Sequence, residues 1–415
     1  MVEIEIGAVP GQTPDEGAPS REEAEAFQST SDQRGGRRAG FMSPEEAAIL
    51  DLLGPQDCGS VLAAERAINE VRAARPVVVT WEGRSALAIG AEAFGPVLAH
   101  AFSTLAPGQA RLALPAPRLA RLGVTRAGAG RVRLGAEAVA QVERLVLCVD
   151  ASLDAPVEDA DVLDLCALDL LGVGMLLPAA VLAPCQADTF PHVLRVSPAD
   201  IAAYRSGQVR SLRIVGRAPV PLEGAPETEF VVFRGGEGLR DQVAILVGHP
   251  DPSRPVPVRL HSACLTGDLF GSLKCDCGDQ LRHTVRRMAQ GEGGILLYLD
   301  QEGRGNGIAN KMRAYKLQSE GFDTYDADAA LGFGLDQRRF DFAAEMLRQL
   351  GARAVRVLTN NPVKVAALKA AGLEVVSEER VLGRQTRENT GYLTSKRDKA
   401  GHHIDVEALS VPAAD

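Results

Sequence analysis

The sequence predicts an α/β protein with mixed α+β sheets, arranged as two domains. Segments with strand character alternate with segments of helical periodicity along most of the chain, a pattern typical of sheets covered by helices. The length of 415 residues is sufficient for two or three domains with buried cores. We expect a disordered leader over residues 1–40, a first domain over residues 41–205 and a second domain over residues 206–415.

Composition and charge exclude several classes of protein. The net charge of −9 argues against a nucleic-acid-binding protein, which needs a basic surface. The seven cysteines do not form an even, secreted-type framework, and this favours a reducing compartment. Neither a signal peptide nor an apolar run of membrane-spanning length is present in the sequence. We therefore expect a cytoplasmic protein that has no membrane or nucleic-acid partner.

The leader is rich in Gly, Pro, Glu, Ser and Gln, which predicts disorder because such a segment cannot form a core. A helix is expected over residues 43–53, where Ser-Pro-Glu-Glu supplies an N-cap, a first-turn proline and early acids. A second helix is expected over residues 61–74, and the Arg75-Pro76 pair ends it. The other elements expected in the first domain are strands at 77–80, 111–114 and 145–149 and helices at 116–122 and 160–171.

The second domain begins with a region that is interrupted by Pro and Gly. Strand character is present over residues 209–215, 229–233 and 243–247. A helix is expected over residues 280–290, followed by a fully apolar strand over residues 294–299.

Three cysteines form the most distinctive pattern in the chain. Cys264, Cys275 and Cys277 have the spacing C-x10-C-x-C. Three thiolates at one point are typical of a catalytic zinc site, which leaves its fourth position to water, whereas a structural zinc takes four protein ligands. The spacing also allows half-buried thiols without a metal, or a structural zinc completed by His261 or a more distant histidine.

A glycine-rich turn follows the strand at 294–299. Glycines at 303, 305 and 307 are interleaved with Glu302, Arg304 and Asn306, so the backbone can approach a ligand closely, and the next helix offers free N–H groups to an anion. A second strand-turn-helix places Lys364 in the first turn of a helix that Pro362 opens. Each turn alone is also compatible with an ordinary tight turn, and their combination favours a phosphate-binding site.

Six motifs occur in order: R-x-H-S-x-C-L-T-G-D, C-D-C-G-x-Q-L, Q-E-G-R, N-K-x-R-A-Y, L-G-F-x-x-D-x-R and L-T-N-N-P-x-K. With these motifs, residues from about 207 to 405 resemble GTP cyclohydrolase II, a zinc enzyme that opens the purine ring of GTP, releases formate and splits off pyrophosphate. The resemblance implies that the second domain has the fold of that family. It also implies a nucleoside triphosphate substrate, bound with Mg²⁺, and a homodimer.

The resemblance assigns roles to individual residues. Cys264, Cys275 and Cys277 would bind one Zn²⁺ per chain. Tyr315 would lie at the ring being opened, and Asp336 would accept a proton. Arg338 would act as a nucleophile toward the α-phosphate or as an electrostatic stabiliser, since a guanidinium normally stays protonated. The residues expected to contact the nucleotide are Arg259, His261, Gln280, Glu302, Gly303, Arg304, Asn306, Thr324, Thr359 and Lys364.

Three positions depart from the family pattern near the expected pocket. Ala263 replaces a glutamate before the first cysteine, Asp300 replaces an arginine, and Asn306 enters the glycine turn. The same variant is similar to GTP-cyclohydrolase-II-like proteins of uracil catabolism, for which the implied substrate is UTP. Because a buried polar group matched to one base rejects another strongly, we expect UTP as the substrate, with GTP and riboflavin synthesis as the alternative.

The first domain has a resemblance of its own. Its strand at 77–80, the segment ARLALPAPRLARLG from Ala110 and the segment PAAVL from Pro178 resemble dihydroxybutanone-phosphate synthase. In that family an acidic loop after the first strand holds Mg²⁺, which needs several oxygen ligands. The corresponding segment here, TWEGRSALAIG, contains one carboxylate. We expect this domain to have lost the synthase activity and to serve folding, dimerisation or covering of the active site.

Two hypotheses outside catalysis remain at this stage. A zinc-stabilised nucleic-acid-binding module would need a fourth metal ligand and a basic surface, and the acidic balance disfavours it. A non-catalytic nucleotide sensor would keep the binding residues without the need for Tyr315, Asp336 and Arg338 together. The presence of all three favours an enzyme.

Overall fold

Two seven-stranded sheets make up the architecture. The computed structural model describes residues 58–235, 241–334, 336–381, 383, 386 and 389–400, which belong to one compact unit, Asp57–Asp415. The leader at 1–40 and the helix at 43–53 that the sequence predicts lie outside these residues. The mixed α/β fold with two sheets is confirmed. We call the part of the chain that forms the first sheet the first half and the part that forms the second sheet the second half.

The first half contains mostly antiparallel strands. Its strands are β1 (Val77–Trp81), β2 (Arg84–Gly90), β3 (Arg111–Leu114), β4 (Gly130–Arg133), β5 (Glu158–Asp159), β6 (Ala180–Pro184) and β7 (Arg195–Val196). They lie in the order β5-β4-β3-β6-β2-β1-β7, and β1 and β7 are parallel. The helices are α1 (Cys58–Arg72), α2 (Pro96–Leu105), α3 (Ala116–Arg121), α4 (Ala138–Leu147), α5 (Val162–Val173) and α6 (Pro198–Arg210).

The segment expected to form a loop after the first strand is a tight hairpin instead. Strands β1 and β2 pair antiparallel up to Trp81 and Arg84. The two turn residues between them, Glu82 and Gly83, have φ values of 46° and 76°, as a two-residue hairpin turn requires. The single carboxylate of this segment is therefore exposed at a hairpin tip.

Two expected strands are wrong in whole or in part. Residues 145–149 were expected to be extended, but α4 continues to Leu147 because Val142, Leu145 and Val146 form a buried stripe at helical spacing. The strand expected over residues 209–215 begins only at Arg213. Residues 209 and 210 belong to α6, which Ser197 and Asp200 start with a capping box.

Helix α6 also bears on the predicted domain boundary at residue 205. It runs through that position, and its residues Ile201 and Tyr204 belong to the core of the first half. The boundaries 41–205 and 206–415 therefore remain a prediction.

The second half combines an antiparallel and a parallel part. Its strands are β8 (Arg213–Pro219), β9 (Thr228–Arg234), β10 (Gln242–Val247), β11 (Val256–Ser262), β12 (Gly294–Leu299), β13 (Ala354–Leu358) and β14 (Glu374–Glu379). They lie in the order β14-β13-β11-β12-β10-β9-β8. The helices are α7 (Leu265–Asp268), α8 (Cys277–Gln290), α9 (Ile308–Ser319), α10 (Thr324–Ala330), α11 (Asp341–Gln349), α12 (Pro362–Ala370) and α13 (Thr390–Ala400).

The parallel part of this sheet determines where a ligand can bind. Strand β11 pairs parallel with β12 on one side and with β13 on the other. The carboxyl ends of these three strands therefore meet at one edge, which is where ligands bind in parallel α/β sheets. The first cysteine, the glycine-rich turn and the Thr-Asn-Asn segment each follow one of these strands.

The two halves share one hydrophobic core. Buried residues of the first sheet pack in the same cluster as Ala314 and Leu317 of α9 and Ala327 and Ala330 of α10. These two helices of the second half therefore pack against the first half.

Within the residues that the structure describes, no helix is both long and apolar enough to cross a membrane.

Candidate active site

The three cysteines of the distinctive motif converge as the sequence predicts. The Sγ atoms of Cys264, Cys275 and Cys277 all lie within 4.8 Å of one another, and those of Cys264 and Cys275 are 3.6 Å apart. Two sulfurs bound to one tetrahedral zinc at about 2.3 Å each are separated by about 3.8 Å. The donor set and its spacing therefore fit one such ion.

Two glycines allow this convergence. A Cβ atom at Gly267 would lie 2.7 Å from the Cys275 Sγ, and one at Gly278 would lie 2.2 Å from the Gly267 carbonyl oxygen. The helix that starts at Cys277 and the short helix after Cys264 approach each other so closely that a side chain at either position would separate them.

Asp268 binds the backbone of the first cysteine, Cys264. Its carboxylate accepts hydrogen bonds from the Cys264 backbone N–H at 2.9 Å and from the Tyr298 hydroxyl at 3.0 Å. The Nε2 of His261 is 3.1 Å from the same carboxylate, and its ring stacks on Tyr298. Burial lowers the pKa of His261. One ring nitrogen of His261 is thus engaged by Asp268. Among the described residues, the group of possible metal ligands within 4.8 Å of one another contains the three cysteines and does not include His261.

Lys311 and Glu302 form a second set of contacts around the first cysteine, Cys264. The Lys311 Nζ lies 3.1 Å from the Cys264 Sγ and 2.8 Å from Glu302 Oε1. The other oxygen of Glu302 accepts a hydrogen bond from the Leu265 N–H at 2.6 Å. Hydrogen bonds with Cys275 and Cys277, together with Lys311, lower the pKa of Cys264, which favours the thiolate that a metal requires.

The glycine-rich turn has the backbone freedom expected of it. Gly303, Gly305 and Gly307 have φ values of 60°, 88° and 85°, and Arg304 has a left-handed φ of 61°. The Arg304 guanidinium lies 4.2 Å above the ring of Tyr325 and forms an ion pair with Asp328. The turn therefore directs a cation toward α10.

A cavity borders the cysteines and most of the predicted nucleotide contacts. Arg259 is 6% exposed, donates to Gln280 Oε1 at 2.5 Å, and has its pKa lowered to about 10 by burial. Lys364, in the first turn of α12, donates to the Leu260 carbonyl at 2.6 Å. The predicted residues that line this cavity are Arg259, His261, Cys264, Cys275, Cys277, Gln280, Glu302, Gly303, Arg304, Tyr315, Thr324, Arg338, Thr359 and Lys364.

Tyr315 and Arg338 both line the cavity and come from different parts of the second half. Tyr315 is on α9, and burial raises its pKa to about 12, so it keeps its proton at neutral pH. The Nε and Nη2 of Arg338 donate to the two oxygens of Asp336 at 2.9 and 2.6 Å. Although burial opposes the charge, Asp336 raises the pKa of Arg338 overall. Asp336 is exposed and binds Arg338 rather than lining the cavity itself.

Two of the three departures from the family pattern do not border this cavity. Asp300 and Asn306 line a separate cavity next to residues of the first half, including Met175. Asn306 is 4% exposed, and its carbonyl accepts a hydrogen bond from Asn310 Nδ2 at 2.9 Å. Asn306 does not border the main cavity, although its Nδ2 lies 3.4 Å from Oδ2 of Asp328, which does. A contact between Asn306 and the nucleotide remains a prediction. Ala263 does border the main cavity.

Several residues with roles in the site were not singled out from the sequence. Asp268 and Lys311 lie inside two of the quoted motifs, so their positions could have indicated them. Tyr325 and Asp328 follow Thr324 on α10, and Tyr392 on α13 borders the cavity from the C-terminal end. No motif in the sequence pointed to these three.

The fold and the site define a mixed α/β protein with a metal-compatible three-cysteine cluster beside a cavity lined by several cations. The family model described as GTP cyclohydrolase II matches residues 213–380. A protein named GTP cyclohydrolase-2 from Xylella fastidiosa (strain Temecula1) is 42% identical over 364 residues, covering 86% of this chain and 91% of the relative. The chain belongs to the GTP cyclohydrolase II family.

Other relatives differ in how much of the chain they match. A GTP cyclohydrolase-2 from Azospirillum brasilense is 37% identical over 379 residues, covering 87% of this chain and 98% of the relative. A riboflavin biosynthesis protein RibBA from Porphyromonas gingivalis is 39% identical over 205 residues, covering 49% of this chain and 50% of the relative. A solved two-domain 3,4-dihydroxy-2-butanone 4-phosphate synthase from A. baumannii aligns with 77% of this chain and 99% of that chain, with a TM-score of 0.30 and 18% identity.

Proposed function

We propose that this protein is a GTP cyclohydrolase II that opens the purine ring of GTP with release of formate and pyrophosphate. The observation that carries the proposal is one cavity bordered by the three-cysteine cluster, by Tyr315 and by the cations Arg259, Arg338 and Lys364. Such a cavity can hold a triphosphate at one end and a base at the other. Relatives that share both halves with this chain are named GTP cyclohydrolase-2.

The positions of the sequence departures support GTP over UTP. Asp300 and Asn306 border the cavity beside the first half and not the main cavity, so these two departures do not require a different base. Ala263 is the one departure at the main cavity. It favours UTP as a second candidate, because the loss of a carboxylate there removes a partner for a purine edge.

The cysteines would hold the metal in this proposal. When bound to the three thiolates, Zn²⁺ lowers the pKa of its water and supplies a hydroxide near neutral pH. The protein's own contribution is to keep Cys264 in its thiolate form through Lys311 and to fix the loop through Asp268. Tyr315 retains its proton and can donate it to a nitrogen of the ring as the ring opens.

The cations would bind and stabilise the triphosphate, with Mg²⁺ as a counter-ion. Within the part of the chain that the structure describes, Arg259 Nε and Arg304 Nη1 have no hydrogen-bond partner, which leaves donor capacity for an anion. Arg338 is held by both oxygens of Asp336 and stays protonated. A protonated guanidinium has no free electron pair, so we infer that Arg338 stabilises the leaving pyrophosphate electrostatically and does not attack the α-phosphate.

The test is to incubate purified, zinc-loaded protein separately with GTP and with UTP in the presence of Mg²⁺. Formate, pyrophosphate and a change in the purine ultraviolet band with GTP alone are expected. The Cys275→Ser variant, purified identically, is the control for contaminating activity. Loss of the uracil band with UTP alone would replace GTP by UTP, and tight nucleotide binding without turnover of either would support a sensor instead.

A further inference from the structure

The first half of the molecule contacts the wall of the active-site cavity through two helices. Lys311 and Tyr315 on α9 and Thr324, Tyr325 and Asp328 on α10 line that cavity. Ala314 and Leu317 of α9 and Ala327 and Ala330 of α10 are buried in the core shared with the first half. The position of this wall therefore depends on residues more than a hundred positions away in the sequence.

Arg118 makes the most direct of these contacts. It lies on α3 of the first half and is 2% exposed. Its Nη1 donates to the Ala330 carbonyl, the last residue of α10, at 2.7 Å. Its Nε and Nη2 donate to the carbonyls of Leu145 and Cys148 at 2.8 and 2.7 Å. One guanidinium thus joins the C-terminal ends of α4 and α10.

The chemistry of this contact favours a fixed connection between the ends of α4 and α10. The last carbonyls of a helix lack partners within the helix and carry partial negative charge, so a cation there is stabilising. The cost is desolvation, which lowers the pKa of Arg118 to about 10. Removal of the guanidinium leaves the buried carbonyl oxygens of Leu145 and Ala330 and the partly buried one of Cys148 without this donor. A buried acceptor without a partner is unfavourable.

Two further contacts hold α9. The Arg313 guanidinium pairs with Glu92 of the first half at 2.5 Å, and Glu92 also accepts a hydrogen bond from the Leu177 N–H at 3.0 Å. Asn310 Nδ2 donates to the Met175 carbonyl at 3.1 Å. Both wall helices are therefore attached to the first half by polar contacts as well as by apolar packing.

We propose that the first half is a scaffold for the active-site wall and that Arg118 is a positioning residue for nucleotide binding. Arg118 acts by fixing the end of α10, and so the places of Tyr325 and Asp328, which in turn hold Arg304. The first half thereby has a function in nucleotide binding, although its first hairpin carries a single carboxylate at the tip. The inference rests on the proposed nucleotide turnover for its kinetic test, but its structural test is independent of turnover.

The kinetic experiment compares Arg118→Met with Arg144→Met in the full-length, zinc-loaded protein. Arg144 is an exposed arginine that donates to the Ser152 carbonyl within the first half. At a temperature well below unfolding, we expect Arg118→Met to lower kcat/KM for GTP by about 10- to 100-fold, mainly through KM, since small displacements of binding groups have effects of this size. Arg144→Met should stay within about twofold of the unchanged protein.

The structural experiment is amide hydrogen exchange over residues 324–330 without nucleotide. We expect exchange in Arg118→Met to be about tenfold faster there, while the Cys264 loop stays protected and zinc content stays at one per chain. Unchanged kinetics and unchanged exchange in folded, zinc-loaded Arg118→Met would overturn the proposal. Faster exchange in a protein whose unsubstituted form turns over neither GTP nor UTP would support the scaffold and refute the proposed function.

If Arg118→Met does not fold, a second pair of variants tests the scaffold proposal. Gly332 and Gly321 have φ values of +92° and +101°, so alanine is strained to a similar extent at both. At Gly332 the added Cβ would meet Pro115 at 3.1 Å and Pro178 at 3.2 Å, whereas at Gly321 nothing lies within 4 Å. A rise in KM for Gly332→Ala but not for Gly321→Ala supports the scaffold, and equal KM values refute it.

Discussion

In the first half, the buried Arg111 and Asp164 pair with each other, whereas the second half places buried charges around a cavity. Arg111 donates to Asp164 at 2.7 Å, and Arg131 pairs with Asp161 at 3.0 Å and with Asp164 at 3.3 Å. In the second half, Arg259 and Arg304 line the cavity, and among the described residues one nitrogen of each has no partner. Paired charges contribute to folding, and partly unpaired charges leave capacity for a ligand.

The comparison extends to the contact between the halves. The first sheet ends its first hairpin in an exposed two-residue turn, which offers few ligands for a hard cation. Arg118 on α3 nevertheless donates to the last residue of α10 across the core. The first half is therefore in direct contact with a helix that lines the cavity of the second half.

The largest expected effect is on the metal cluster. Cys275→Ser should abolish zinc binding and lower kcat with GTP by at least about 1,000-fold, because hydroxide formation near neutral pH depends on the metal. Metal analysis and formate release measure both effects. Cys148→Ser, an exposed cysteine of the first half, is the matched control. A Cys275→Ser variant that keeps both zinc and activity would show that Cys275 is not required as a zinc ligand.

The next largest effect is expected at the buried charge pair of the first half. Arg111→Met leaves Asp164, whose side chain is fully buried, without its nearest cation. We expect the free energy of unfolding to fall by about 3 kcal/mol, while kcat with GTP stays within about twofold of its original value. Denaturant unfolding and steady-state kinetics test this. A large fall in kcat with little loss of stability would mean that this charge cluster serves chemistry after all.

A smaller effect is expected where a charge faces the cavity. Arg338→Lys keeps the positive charge but loses the two-point contact with Asp336. We expect kcat to fall by about 100-fold, as when one preorganised donor to a developing charge is removed, with little change in the unfolding midpoint. Accumulation of a covalent guanylyl-protein in the unsubstituted enzyme would instead establish Arg338 as a nucleophile.

The smallest effect concerns the start of α10. Asp323 caps this helix and pairs with Lys399 of α13. Despite partial burial, Lys399 and the backbone N–H groups of Asp326 and Tyr325 lower its pKa to about 2. Its stabilising contribution is therefore complete above its ordinary pKa near 4 and is lost as the pH falls toward 2.

Asp323→Asn keeps the helix cap and removes the charge. At pH 7 we expect a loss of roughly 0.5 kcal/mol in the free energy of unfolding. This difference should begin to shrink below about pH 4 and disappear only as the pH falls through about 2. A difference that stays constant with pH would assign the effect to the cap alone.

Much of the fold could be predicted because its signals are local. The apolar strand at 294–299 matches β12, and the helix at 280–290 lies within α8. Errors arose where local signals compete. The run around Leu145 has strand-like composition, and only the buried stripe from Val142 onward shows that it is helical.

The site could be predicted to a similar extent and for a similar reason. The cysteine spacing is a local pattern, and the three Sγ atoms do converge. Asn306, in contrast, is predicted to contact the nucleotide because of its place in a motif, and it borders a different cavity. A motif determines which residues are close in sequence, whereas the direction of each side chain depends on what packs behind it. The homodimer and Mg²⁺ remain predictions.

The sequence by itself determined the alternation of strands and helices, the three cysteines and the order of the motifs, because each of these depends on neighbouring residues and on turn chemistry. Only the tertiary structure decided which charges pair with one another and which face the cavity. It also decided that Arg118 would hold the end of a helix 212 positions away. Such a contact has no signal in the sequence, since it forms only when the two sheets pack against a shared core.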